Sequence, residues 1–145
     1  MEKPKIIIYK GFWNKNICNQ NKDKLFIYGD NESRIGSRGQ AIIRYCDNAK
    51  GISTKKTPSS YYESYYNDEE IEKNKNTIDM DIDKIIYLSK YYKYLVFPED
   101  GLGTGLSKLP EKAPKTYSYL NNKLFEIFGI NVEKNGKFYL NDSNN

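Results

Sequence analysis

The sequence predicts a single three-layer α/β domain over residues 1–140, with a central mixed sheet, helices on both faces and a frayed tail at 141–145. Three observations lead there. Short apolar runs of strand length alternate with longer segments whose apolar residues recur at helical spacing. Two of those runs are each followed by a glycine-containing loop. No repeat and no low-complexity linker divides the 145 residues, which are enough for one domain with a buried core.

Lys5 to Tyr9 (KIIIY) reads as the first strand. Lys10 to Asp23 is a polar connection that contains Trp13. Lys24 to Tyr28 (KLFIY) is the second strand, and Gly29-Asp30-Asn31 are typical of a turn leaving it. Gly39 to Tyr45 (GQAIIRY) can form a short helix with Ile42 and Ile43 facing inward. Gly51 to Thr54 is a short strand, and Lys55 to Ser60 a loop by composition. Tyr61, Tyr62, Tyr65 and Tyr66 either cover a ligand or pack a loop against the domain, and packing is the reading adopted. Asn67 to Asn76 is highly charged and expected to be exposed.

Thr77 is placed as an N-cap, with Asp79 and Asp81 in the first turn, where the helix dipole favours them. Ile78, Ile82, Ile85 and Ile86 then fall at helical spacing, so Ile78 to Tyr91 reads as an amphipathic helix. Tyr94 to Phe97 is an apolar strand stopped by Pro98. Gly101, Gly103 and Gly105 follow, and Pro110 is placed to open a helix. That helix carries an apolar stripe of Ala113, Tyr117, Leu120, Leu124, Phe125 and Phe128 and ends at Gly129. Ile130 to Leu140 reads as a hairpin around Asn135-Gly136, the favoured type I′ pair.

Composition narrows the chemistry. The chain has no histidine, which removes the commonest general base and most zinc sites. Its two cysteines have no metal-ligand spacing, and no metal or cofactor is expected. A net charge of +4, spread among 19 acidic residues, gives mild attraction to anions rather than the dense basic stripe of a nucleic-acid binder. Charged residues are 29% of the chain, and the mean hydropathy is −0.81. Neither a signal peptide nor a membrane span is visible, so the expected location is the cytoplasm, that of an infected host included.

The two loops, Gly29 to Gln40 and Glu99 to Leu109, both follow strands. In an open α/β sheet, loops at the carboxyl ends of neighbouring strands share a ligand crevice. Glycine loops of this kind bring main-chain N–H groups around a phosphate. Neither loop is a P-loop or a GxGxxG fingerprint.

Four segments carry a resemblance. They are Phe26-Ile-Tyr-Gly-Asp-Asn31, Gly36-Ser-Arg-Gly-Gln-Ala41, Gly51-Ile-Ser-Thr-Lys55 and Val96-Phe-Pro-Glu-Asp-Gly-Leu-Gly-Thr-Gly-Leu106. Together they resemble a set of small phage, viral and bacterial proteins of unassigned function. That pattern in turn resembles the macro domain, an ADP-ribose-binding α/β fold. The resemblance implies that Asn31 sits near the distal ribose, that Gly36 and Gly39 line the first loop, and that Gly101, Gly103, Thr104 and Gly105 contact the phosphates.

The candidate residues are therefore Asp30, Asn31 and Asp100 for catalysis. For ligand binding they are Gly29, Gly36, Gly39, Gln40, Thr54, Lys55, Glu99, Gly101, Gly103, Thr104 and Gly105. The expected partner is a phosphorylated nucleotide such as ADP-ribose, bound by a monomer or weak dimer without a membrane. Turnover would be hydrolysis, with either a carboxylate or the substrate's own phosphate activating water in the absence of histidine. A binding module without turnover and a nucleic-acid-associated protein are the alternatives, the second motivated by abundant tyrosine that can stack bases.

Overall fold

The computed structural model describes residues 4–141. Residues 1–3 of the expected domain and 142–145 of the expected tail lie outside the described residues. The chain is α/β as predicted. Four strands form one sheet: β1 (Lys5–Tyr9), β2 (Lys24–Asn31), β3 (Ala49–Lys55) and β4 (Tyr94–Pro98). Their order is β1-β4-β2-β3, and every pairing is parallel. Antiparallel pairing is confined to a separate ribbon of β5 (Ile130–Val132) and β6 (Phe138–Leu140).

Successive side chains of a strand point to opposite faces, and here both faces are covered. Leu25 and Ile27 of β2 and Leu95 and Phe97 of β4 pack against α2 (Ile71–Ser89) and α4 (Pro114–Phe128). Phe26, Tyr28 and Val96 face the other way, onto Trp13, α1 (Lys15–Gln20) and the 3-10 segment Gly39–Ile43. The result is three layers with β2 and β4 in the middle of the sheet.

Several boundaries differ from the sequence reading, each for a physical reason. The stretch around Trp13 is more than a connection. Asn14 caps α1 by accepting from the Ile17 amide at 2.9 Å, and Cys18 is fully buried. Burial pushes the Cys18 thiol up to about 12. Trp13 stacks on Tyr9, meets Phe26 edge-on and donates its indole N–H to the Ile27 carbonyl at 3.0 Å. Gly29-Asp30-Asn31 is strand, not turn, because β3 runs on beside it and supplies main-chain partners. A bulge lies at its end, where Asp30 pairs with Ser53 and Asn31 with Lys55, leaving Thr54 as the extra residue.

Helix α2 begins at Ile71, well before Thr77, which is an interior residue. The early turns were hidden because a polar residue fills the buried position. Asn74 is 1% exposed and donates to the Asn67 carbonyl and the Thr116 hydroxyl. The helix expected from Pro110 is broken at Ala113 into α3 (Leu109–Lys112) and α4, with Pro114 in the first turn of the second. Asp68 caps α4, accepting from the amides of Lys115 at 2.8 Å and Thr116 at 3.0 Å. Burial alone would raise its carboxyl pKa, but these donors outweigh burial and hold it below the ordinary range.

Gly129 ends α4 in the left-handed conformation, as expected. Phe125 and Ile42, expected inside, are 57% and 39% exposed. The β5–β6 turn is not type I′. Gly136 alone takes positive φ there, and Glu133 and Lys137 extend the loop.

Candidate functional site

The site stands at the carboxyl end of the parallel sheet, where β2 and β4 run out into their loops. After Pro98 the chain turns at once, with the Gly101 amide donating to the Pro98 carbonyl at 3.1 Å. Thr104 donates its hydroxyl to the Asp100 carbonyl at 2.7 Å, and the Leu109 amide closes the loop on the Gly103 carbonyl at 2.8 Å. Leu102 is fully buried beneath the loop. Among the described residues, the consecutive amides of Gly103, Thr104, Gly105, Leu106 and Ser107 have no protein acceptor. Main-chain donors are nearly always satisfied by protein or water, so in this open loop these amides are left to solvent or to a ligand.

Two of the glycines are required by the backbone. Gly101 has φ +88°, and a Cβ there would run into the Gly136 carbonyl oxygen. Gly103 has φ +81°, and its Cβ would lie 2.9 Å from the Leu109 side chain. Gly105 is different: nothing stands within 4 Å of a Cβ built there. The following helix α3 has only four residues. The loop amides, not a helix end, are therefore what this segment offers an anion.

Gln40 holds the two loops together. Its Oε1 accepts from the Gly29 amide at 2.7 Å, and its Nε2 donates to the Gly101 carbonyl at 3.0 Å. A Cβ on Gly29 would come within 3.9 Å of the Gly103 nitrogen, so the loops meet. Replacing Gln40 by Leu leaves both main-chain groups without partners. We expect Gln40→Leu to lower the unfolding free energy by about 1–3 kcal/mol, as read by urea denaturation. A change below about 0.5 kcal/mol, the size of an ordinary surface substitution, would show that the clasp is not structural.

Two adjoining pockets open here. The first, about 480 Å³, is lined by Phe12, Trp13, Gln40, Asp100 and the glycines of the second loop. The second, about 810 Å³, is lined by Asp30, Asn31, Lys55, Tyr61, Tyr65 and Lys108 among others. Gly29, Arg38, Gly105, Leu106 and Ser107 line both, so they form one bent cleft with a saddle between its halves. Volumes of this size suit a small-molecule ligand.

Of the candidate residues, Gly39, Gln40, Thr54, Asp100, Gly101, Gly103 and Thr104 line the first half. Asp30, Asn31, Gly36 and Lys55 line the second, and Gly29 and Gly105 belong to both. Glu99 lines neither. Its carboxylate stands 3.9 Å from both Lys10 and Lys137, and its main chain joins Tyr9 of β1 to Phe138 of β6. The sequence reading misses Gly11–Trp13, assigns Tyr65 to packing rather than to a ligand cover, and leaves Lys108 of the second loop out of the candidates.

Asp30 is not a free carboxylate. Arg44 lies 2.6 Å from Oδ1, Arg34 lies 3.1 Å from Oδ2, and the Asn31 amide adds a bond to Oδ1. The Asp30 side chain is 2% exposed, and that of Arg44 is 5% exposed. Arg34 also donates to Asp81 of α2, whose other oxygen accepts from the Ser53 amide at 2.8 Å. The cluster straps α2 to β3 at the edge of the sheet. With both oxygens engaged by cations, Asp30 is poorly suited to take a proton from water, and its place is structural. Asp100 is exposed and lines the first half of the cleft, with no ion-pair partner among the described residues.

Lys55, 7% exposed, lies 4.5 Å over the Tyr65 ring and has no carboxylate partner among the described residues. Burial, then the charges of Arg38 and Lys108, hold its ammonium below the usual lysine range. Among the described residues, no group of three or more His, Cys, Asp or Glu could hold a metal ion, and no helix is long and apolar enough to cross a membrane.

No curated protein and no solved structure matches this chain. Residues 8–123, a span that includes both glycine loops and the strands that carry them, match a family model described as a Family of unknown function (DUF7831), and the chain belongs to that family.

Proposed function

We propose that the protein binds an ADP-ribose-type or other phosphorylated nucleotide in the cleft between its two glycine loops. The observation that carries this reading is the run of unpaired amides from Gly103 to Ser107, set in residues that line the cleft. Unpaired loop amides are the usual holders of phosphate oxygens. The first half of the cleft adds Phe12, 86% exposed, beside Trp13 and Leu106, an apolar wall on which a planar base can rest. The resemblance of the loop segments to macro domains, and to small phage, viral and bacterial proteins, supports the ADP-ribose class.

Binding is the activity that the residues support best. If the nucleotide is also hydrolysed, water activation falls to Asp100, because Asp30 is held by two arginines. A thermal-shift screen against ADP-ribose, NAD, cyclic nucleotides and inorganic phosphate tests the proposal. A ligand present at a hundred times its dissociation constant stabilises the folded state by about 2.7 kcal/mol. A clear upward shift with at least one nucleotide is expected. No shift with any of them at millimolar concentration would refute it.

A further inference from the structure

We propose that the half of the cleft around Lys55 is a separate anion subsite, in which Lys55, Arg38 and Lys108 take a phosphate group other than the one at the glycine loop. The three cations meet in a pocket of about 810 Å³. None of them has an ion-pair partner among the described residues. For Lys55 this is unusual, since it is buried and buried charges are ordinarily paired, while Arg38 and Lys108 are exposed. Of the residues lining this pocket, Asp30 is the one carboxylate, and it is already engaged by Arg34 and Arg44.

Lys55 is not an ordinary surface lysine. It ends β3 directly after the bulge at Thr54, so the fold places it there, and its side chain is walled by Tyr65. Among the described residues, its ammonium has one hydrogen-bond acceptor, the Pro58 carbonyl at 3.5 Å. Burial and two neighbouring positive charges leave it short of negative charge, which a phosphate dianion would supply. Lys108 is held at φ +47°, a left-handed conformation that a residue with a side chain rarely adopts.

The subsite stands on its own residues, while the ligand class rests on the nucleotide reading above. Taken together, they describe a nucleotide with a second phosphate, separated from the first and lying across the saddle at Gly105. Such a phosphate comes either from a small nucleotide phosphorylated at two positions or from the next link of a nucleic-acid strand.

The test uses amide NMR on the full chain, first with inorganic phosphate. Two saturation curves are expected, one for the amides of Gly103 to Ser107 and one for those of Ser59 to Tyr65. Lys55→Met should weaken the second by at least about tenfold, or 1.4 kcal/mol. Lys108→Asn should weaken it too, and asparagine tolerates the left-handed backbone at that exposed position. A single curve, or a second curve untouched by both changes, would overturn the proposal.

Titrations with ADP, adenosine 3′,5′-bisphosphate and the dinucleotide pApA then identify the source. A gain of about tenfold over ADP for the bisphosphate indicates a small nucleotide, and a gain for pApA alone indicates a strand; in either case Lys108→Asn should shrink it. No gain for either ligand would overturn the two-phosphate class. If phosphate titrates the Lys55 pocket while no nucleotide moves the loop amides, the nucleotide reading fails and the subsite remains.

Discussion

Asp30→Ala is expected to lower the unfolding free energy by about 3–5 kcal/mol, the loss typical of breaking a buried ion pair from one side. The substitution strands Arg44, whose side chain is 5% exposed, and takes one of the two carboxylates from Arg34. The hold on α2 then rests on Asp81, through Arg34, the Ser53 amide and Lys50. Gly51→Ala should act in the same direction by another route. A Cβ at Gly51 would lie 2.5 Å from the Asp30 Cβ and 2.7 Å from its Oδ2, so it pushes the carboxylate off its arginines. Urea denaturation followed by circular dichroism reads both. If Asp30→Ala unfolds within about 1 kcal/mol of the parent, the value of an exposed pair, the cluster is not what holds that edge, and a chemical role for Asp30 returns.

Gly105→Val should leave the fold intact and weaken nucleotide binding by at least about tenfold, or 1.4 kcal/mol. The added atoms enter the open space at the saddle, which both halves of the cleft share, and they meet no protein atom at the Cβ position. Gly103→Val is the contrasting case. There the Cβ meets Leu109 at 2.9 Å on a backbone with φ +81°, so stability falls along with binding. The pair therefore separates a blocked site from a broken fold. Unchanged affinity in a folded Gly105→Val protein would place the ligand elsewhere.

Much of the fold could be read from the sequence, because β2 and β4 are short apolar runs buried on both faces and α4 carries a periodic stripe ending at a glycine. What escaped was polar and non-local. The first turns of α2 are packed through Asn74, which apolar periodicity cannot register. The cap of α4 is Asp68, whose partners Lys115 and Thr116 lie far along the chain. The identity of Gly29-Asp30-Asn31 as strand was decided by β3, since local turn preference yields to a neighbouring ladder.

The candidate site was legible in the same uneven way. Glycines mark the places where the backbone must turn or approach closely, so both loops stood out. Glu99 and Asp100 are neighbouring candidates in the sequence, but just past the end of β4 the Glu99 carboxylate turns towards Lys10 and Lys137 while Asp100 lines the cleft. Lys108 lies in the second loop and Tyr65 in the tyrosine cluster, but only the folded chain brings them beside Lys55.

Hydrogen exchange at the loop amides tests the central claim most directly. Without ligand, the amides of Gly103 to Ser107 should exchange quickly, since no protein acceptor protects them. With saturating ADP-ribose, or the best nucleotide from the screen, they should slow by at least about tenfold, more than amides elsewhere in the chain. Protection confined to another surface, with these amides still exchanging at their ligand-free rate, would contradict the account.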